Sequence, residues 1–166
     1  MKKATLVLTL LAISLTGMAQ RQKVRVGEDG EMTVNNQTIA YIERVGCKVL
    51  SSNCEFYITN ANDTMLITAT MQSFKDRSQR SQQFPEGQTV SYLTFSFNGF
   101  DSTAEIEIPG LSVKTETVAK LIAQWRLINN GRLNPDGVNQ FITHYGNRFS
   151  ERERLQHQAP AIQIVR

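Results

Sequence analysis

The stretch that decides the fold is residues 111–149, LSVKTETVAKLIAQWRLINNGRLNPDGVNQFITHYGNRF. Apolar side chains recur there at helical spacing in two groups, which predicts two amphipathic helices. The first group is Val118, Leu121, Ile122, Trp125 and Ile128, and the second is Val138, Phe141, Ile142, Tyr145 and Phe149. Two stripes this apolar must be buried against another surface, and the segment that precedes them is the candidate.

The residues between the two groups predict a tight turn. Gly131 is expected to end the first helix as a left-handed C′ glycine. Asn134, Pro135 and Asp136 are typical of a helix start, because they supply an N-cap, a residue whose φ suits the first helical position and a negative charge near the helix dipole. The stretch therefore predicts a helical hairpin.

The segment before the hairpin is rich in short alternating runs of apolar and polar residues, which are separated by turn residues and predict strands. These runs are residues 23–26, 31–34, 38–45, 55–59, 64–71, 89–97 and 102–108. Strands followed by helices indicate segregated layers rather than a parallel α/β sheet. The expected fold class is α+β, with an antiparallel sheet of about 6–7 strands covered by the C-terminal helical hairpin.

Two parts of the segment before the hairpin allow more than one interpretation. In residues 89–97, Val90 and Tyr92 alternate out of phase with the Leu93, Phe95 and Phe97 face, which indicates either a bulge or burial on both faces. Residues 75–88 are polar and are expected to form a long loop, for which a solvated hairpin connection is favoured over a functional loop.

The N-terminus has the layout of a cleaved export signal. Lys2 and Lys3 precede an apolar run from Leu6 to Leu15, and small residues lead to a cut after Ala19. The alternative is an uncleaved anchor, but the apolar run is shorter than the ~20 residues that span a bilayer. The arrangement resembles a bacterial signal peptide, which implies an exported protein that is periplasmic or extracellular.

Removal of residues 1–19 leaves a single expected α+β domain, residues 20–166, with a strand-rich part at 23–108, a helical part at 112–155 and a tail at 156–166. The net charge of the whole chain is +3, and the loss of Lys2 and Lys3 reduces it to +1. No concentrated basic face or further membrane span is expected, so nucleic-acid binding is disfavoured even though the helical hairpin loosely fits a helix-turn-helix spacing.

Mixed charges at residues 148–154 predict a solvated helical extension. The tail segment 161–165 is compatible with an edge strand, a frayed end or docking on a partner's edge.

The chain contains two cysteines, Cys47 and Cys54. In an oxidising compartment so close a pair favours a disulfide over two free thiols. A metal site is disfavoured, because no nearby histidine completes a ligand set. These cysteines are the only site residues that the sequence singles out; no catalytic residue, cofactor-binding residue or metal ligand is predicted.

No catalytic motif is present, and the isolated candidates have simpler explanations. His144 flanks an apolar stripe and His157 lies in the polar tail, so neither is expected to act as a general base. Glu105 and Glu107 share one face of a strand, and they are expected to be solvent-facing charges rather than a glycosidase pair. The aromatic residues that could line a pocket are expected to form the core: Phe56, Phe95, Phe97, Trp125, Phe141 and Tyr145.

Three functional hypotheses follow. The leading one is an exported, non-catalytic binding or protein-interaction domain, because an export signal is combined with no catalytic constellation. The alternative is a carrier that holds a small apolar ligand in a sheet–helix pocket. The third is an enzyme whose site has no recognisable motif. The partner is therefore an unidentified protein or a small apolar ligand, and no cofactor is expected.

Overall fold

The computed structural model describes residues 22–47, 54–110 and 112–158. The predicted signal peptide and the tail segment 161–165 lie outside the described residues.

Seven strands form one antiparallel sheet in which each strand pairs with the next along the chain. They are β1 (Val24–Val26), β2 (Glu31–Val34), β3 (Gln37–Val45), β4 (Glu55–Thr59), β5 (Met65–Asp76), β6 (Gln88–Phe97) and β7 (Thr103–Ile108). Together with the helices that follow, this sheet confirms the α+β class and the predicted antiparallel sheet.

β5 and β6 are longer than their sequence patterns indicate. Their pairing runs without a shift from Ile67–Phe97 to Asp76–Gln88, and a short 3₁₀ turn at Arg77–Gln79 follows β5. The long loop predicted for residues 75–88 is therefore wrong in its bounds, because backbone pairing continues through polar residues. β6 buries both faces without a bulge against β5, since Val90 and Tyr92 are buried as well as Leu93 and Phe95.

The first helix is shorter than predicted. α1 spans Thr115–Gln124 and ends at Trp125, and β8 (Ile128–Asn129) and β9 (Arg132–Leu133) then form a small hairpin. The prediction that Gly131 ends this helix is wrong. Asn130 and Gly131 both have positive φ, 49° and 68°, and they form the two-residue turn of the hairpin, for which an Asn-Gly pair is strongly favoured.

The second helix starts where the sequence predicts. α2 spans Pro135–Tyr145, with Pro135 in its first turn and Asn134 at the N-cap position. The Asn134 side chain makes no cap; its amide donates to the Arg126 carbonyl, 2.9 Å away. A Cβ on Gly137 would lie 2.6 Å from the Trp125 carbonyl oxygen, so only glycine lets the first turn of α2 approach the end of α1 this closely.

α1 and α2 pack on one side of the sheet, here called the inner face. α1 lies against β1 and β3, and α2 lies against β7. The Phe141 ring packs edge-on against Phe95 and Phe97, with ring centroids 5.2 Å and 5.8 Å apart. Phe56, Phe95, Phe97 and Phe141 are all buried, which confirms that these aromatic residues form the core; Trp125 and Tyr145 are only partly buried at its margin.

α3 (Arg148–Gln158) lies on the opposite side of the sheet, the outer face. Gly146, with a φ of 55°, ends α2. Its carbonyl accepts the backbone N–H of Glu105 on the free edge of β7, at 2.8 Å. The chain therefore turns around this edge, and Phe149 stacks on the outer-face residue Tyr92, with ring centroids 5.3 Å apart. The prediction that Phe149 extends the stripe of Phe141 is wrong, because the break at Gly146 puts the two rings on opposite faces.

A disulfide joins Cys47, just after β3, to Cys54, just before β4, with the Cα atoms 4.3 Å apart. It closes the connection between two paired strands, where the Cys54 carbonyl also accepts the Met71 backbone N–H at 2.8 Å. The bond thus holds the entry of β4 next to the exit of β3.

We expect the double variant Cys47→Ser/Cys54→Ser to lose about 2–3 kcal/mol of unfolding free energy, because the short loop is no longer closed in the unfolded chain. Urea unfolding of both proteins measures this loss. Addition of a reductant should lower the stability of the wild type to that of the variant and leave the variant unchanged. Equal stability of the oxidised wild type and the variant would contradict the expectation.

Candidate functional site on the outer face of the sheet

The outer face is divided into a part under α3 and a part that no described helix covers. The uncovered part, here called the open face, is formed by alternate side chains of β3, β4 and β5, as the strand registers define them. None of these side chains is buried. The open face consists of Tyr41, Glu43, Val45, Glu55, Tyr57, Thr59, Met65, Thr68 and Thr70.

On the open face, carboxylates alternate with uncharged side chains, both along each strand and across the pairing of β3 with β4. On β3 the side chains run from tyrosine through glutamate to valine, and on β4 they run from glutamate through tyrosine to threonine. Glu43 lies directly across from Tyr57, and Val45 lies across from Glu55. Each carboxylate is therefore next to an aromatic ring or an aliphatic side chain. Val45 and Met65, both 37% exposed, stand at opposite ends of this surface.

Tyr57 lies between the two carboxylates of the open face. Its hydroxyl donates to the Glu55 side chain. That hydrogen bond, together with the negative charges of Glu55 and Glu43, raises the pKa of Tyr57 above its ordinary value of 10.0. The phenol of Tyr57 thus has one carboxylate as its hydrogen-bond partner and a second one as its cross-strand neighbour.

The register places no lysine or arginine among the open-face residues. Arg25 shares the outer face but lies on β1, opposite Thr33, and Arg44 takes the opposite parity, across from Phe56. Within the described part of the chain the salt bridges are Arg152–Asp76 and Arg154–Glu151. The carboxylates of Glu43 and Glu55 thus have no cationic partner among the described residues.

Asp76 attaches α3 to the covered part of the outer face. Its side chain is fully buried and accepts hydrogen bonds from the side chains of Gln79, Arg152 and Gln156, at 3.1, 3.0 and 2.7 Å. It also accepts the backbone N–H and the hydroxyl of Ser78. Burial alone would raise the pKa of Asp76, but these hydrogen bonds outweigh burial and place it below its ordinary value.

Glu105 makes the second attachment of α3. It is buried, with 2% exposure, and its carboxylate accepts the backbone N–H groups of Phe149 and Ser150 at 2.7 and 3.0 Å. The expectation that Glu105 faces solvent is wrong, because it satisfies amide groups that the first turn of a helix leaves unpaired. Glu107 is exposed, as expected. With Glu105 bound to a helix end, the two carboxylates do not face a common cleft.

Tyr92 lies between these two attachments. Burial, together with the charges of Glu105 and Glu153, raises the pKa of Tyr92 to about 12. Its hydroxyl donates to the Gln72 side chain, 2.8 Å away. The covered part of the outer face thus contains a small hydrophobic cluster, of Phe74, Val90, Tyr92 and Phe149, with the buried carboxylates of Asp76 and Glu105 on the same face.

The two histidines lie on different helices, His144 on α2 and His157 on α3. His144 is exposed, and its ring is 5.1 Å from Trp125 and 4.6 Å from Tyr145. His157 is in the last turn of α3. Within the described ranges neither imidazole forms an ion pair with a carboxylate. In the described ranges no group of three or more His, Cys, Asp or Glu residues converges as a metal site, and no helix there has the length and apolar character to cross a membrane.

Surface clefts in the described part of the chain are lined by turns and strand ends. They measure about 330, 400 and 530 Å³ and lie beside the β1–β2 turn, beside Phe84 and Pro109, and beside the β8–β9 hairpin. Among the described residues, aromatic side chains between the sheet and the helices pack against one another.

In comparisons with known proteins, no family model, no curated protein and no solved structure matches this chain. Its class is therefore defined by its own architecture, an α+β protein with a seven-stranded antiparallel sheet and helices on both faces.

We expect Asp76→Asn to lower the free energy of unfolding by about 1–3 kcal/mol near pH 7, because charge-assisted hydrogen bonds to a buried group are lost. Since the folded pKa of Asp76 lies below 3.8, its stabilisation is present above that value and is lost as the pH falls through the folded pKa. Urea unfolding at a series of pH values should therefore show that the difference in unfolding free energy between wild type and Asp76→Asn decreases in acid. The variant Asp101→Asn, at an exposed site, should unfold with the same free energy as the wild type. If the loss in Asp76→Asn did not depend on pH, the role of the ionised Asp76 carboxylate would be contradicted.

Alkaline titration tests the charge environment of Tyr57. We expect Glu55→Gln to lower the pKa of Tyr57, since the hydrogen-bond acceptor and a neighbouring negative charge are both lost. Phenolate absorbance follows the titration, and Tyr57→Phe identifies which transition belongs to this residue. The variant Glu86→Gln, in a distant loop, serves as the control. An unchanged Tyr57 transition in Glu55→Gln would refute the arrangement.

Proposed function

We propose that the protein is an exported, non-catalytic binding protein that engages a protein partner through the open face. The observation that carries the proposal is a part of the outer face where exposed valine and methionine and half-buried tyrosine side chains lie among carboxylates, next to the part of the same face that α3 covers. Tyrosine and methionine are enriched at protein interfaces, whereas solvent-facing sheet positions need only polar residues.

The arrangement of the titratable groups supports binding over catalysis. Glu105 and Asp76 are both occupied with holding α3, and His144 contacts aromatic rings. Catalytic acids and bases are usually found together in a cleft with shifted pKa values. Here the lowered pKa of Asp76 has a structural cause, the set of hydrogen bonds that attaches α3.

Export rests on the signal-like N-terminus together with the cysteine pair. Stable disulfides form in oxidising compartments such as the periplasm, and the bond between Cys47 and Cys54 is consistent with that location. The carrier alternative would need an enclosed apolar space between the sheet and the helices, where the described aromatic residues pack against one another.

Site-specific photocrosslinking in the native cell tests the proposal. A photoreactive amino acid at Val45, on the open face, should yield a discrete crosslinked adduct, because a bound partner would lie within reach of it. The same amino acid at Gln140, an exposed position on α2, is the matched control and should yield none. The adduct at Val45 should also be lost when Tyr57→Ala is added.

The result that would overturn the proposal is equal labelling at the two positions, or an adduct at Val45 that persists in Tyr57→Ala. Circular dichroism and urea unfolding of Tyr57→Ala establish that the fold is retained, which is expected because Tyr57 is not buried.

A further inference from the structure

We propose that the partner segment is cationic: the open face binds a protein segment that presents arginine or lysine side chains over Tyr57. This inference rests on the proposed function and specifies the chemistry of its partner.

The geometry around Tyr57 suits a guanidinium or ammonium group. Glu43 is its direct cross-strand neighbour, and such pairs have Cβ atoms about 4.5–5.5 Å apart. Glu55 lies two residues away on the same face of β4, about 7 Å along the strand. A cation over the phenol ring can therefore contact the ring face and a carboxylate at the same time.

The charge of the open face also favours a cationic partner. Glu43 and Glu55 have no cationic partner in the described residues, and the strand register puts both carboxylates beside Tyr57. A cationic segment would compensate this charge, and Thr59, Thr68 and Thr70 offer hydroxyl groups to the same segment.

Other occupants fit less well. A second copy that docked by the same face would bring Glu43 and Glu55 close to the identical carboxylates, and such like-charge contacts are costly. Nucleic acid and anionic lipid would be repelled for the same reason. An apolar ligand would leave the carboxylates desolvated without a partner.

Fluorescence anisotropy with the full chain as recovered from the cell tests the inference. The probe is a fluorescein-labelled peptide in which arginine alternates with threonine and valine, and the control peptide has glutamine in place of arginine. We expect binding of the arginine peptide alone, with an affinity that falls as salt is added. Glu43→Gln/Glu55→Gln should weaken binding by about fivefold or more.

The matched control is Glu28→Gln/Glu86→Gln, which removes the same charge from exposed positions outside the open face. It should bind as the wild type does. Three results would overturn the inference: no binding of the arginine peptide, equal binding of the two peptides, or equal weakening by both double variants, which would indicate only a response to net charge.

The crosslinking experiment separates the two proposals. An adduct at Val45 together with no preference for the arginine peptide would refute the cationic partner and leave the binding function standing. Failure of both experiments would refute the binding function itself. Binding of the arginine peptide without an adduct in the cell would support the chemistry of the surface and count against its use by a cellular partner.

Discussion

The hydrogen bond from the Glu105 amide to the Gly146 carbonyl places the end of α2 against the free edge of β7, and the arrangement of the C-terminal region depends on it. An edge strand has backbone groups that need partners or solvent. Here the chain pairs with that edge at one residue and crosses from the inner face to the outer face. The sheet thereby acquires helices on both sides without a long connection.

α3 is strongly polar, and among its described residues only Phe149 is buried. Its attachment therefore relies on the two buried carboxylates, Asp76 and Glu105, rather than on a broad apolar stripe. Because each carboxylate accepts hydrogen bonds that attach α3, both are structural groups. The carboxylates of the open face differ from them, because they are accessible and have no cationic partner in the described residues.

The open face is the part of the outer face over which no described helix lies. α3 contacts β7 and the far ends of β5 and β6, and no described helix covers the outer side of β3 and β4. The aromatic residues on the two parts of the outer face accordingly have different roles. Tyr92 is buried and supports α3, whereas Tyr57 is half-buried between two carboxylates and is the centre of the proposed binding surface.

Local sequence determined the seven strands, the start of α2 and the pairing of Cys47 with Cys54, because period-two alternation, the Asn-Pro-Asp start and close cysteine spacing are properties of neighbouring residues. It also contained the Asn130-Gly131 turn signal, which the continuing helical spacing to Ile128 obscured. Only the tertiary structure decided that Asp76 and Glu105 are buried and that Glu43, Glu55 and Tyr57 form an uncovered surface. An alternating strand has two faces, and which of them is covered depends on where distant helices pack, which no local pattern encodes.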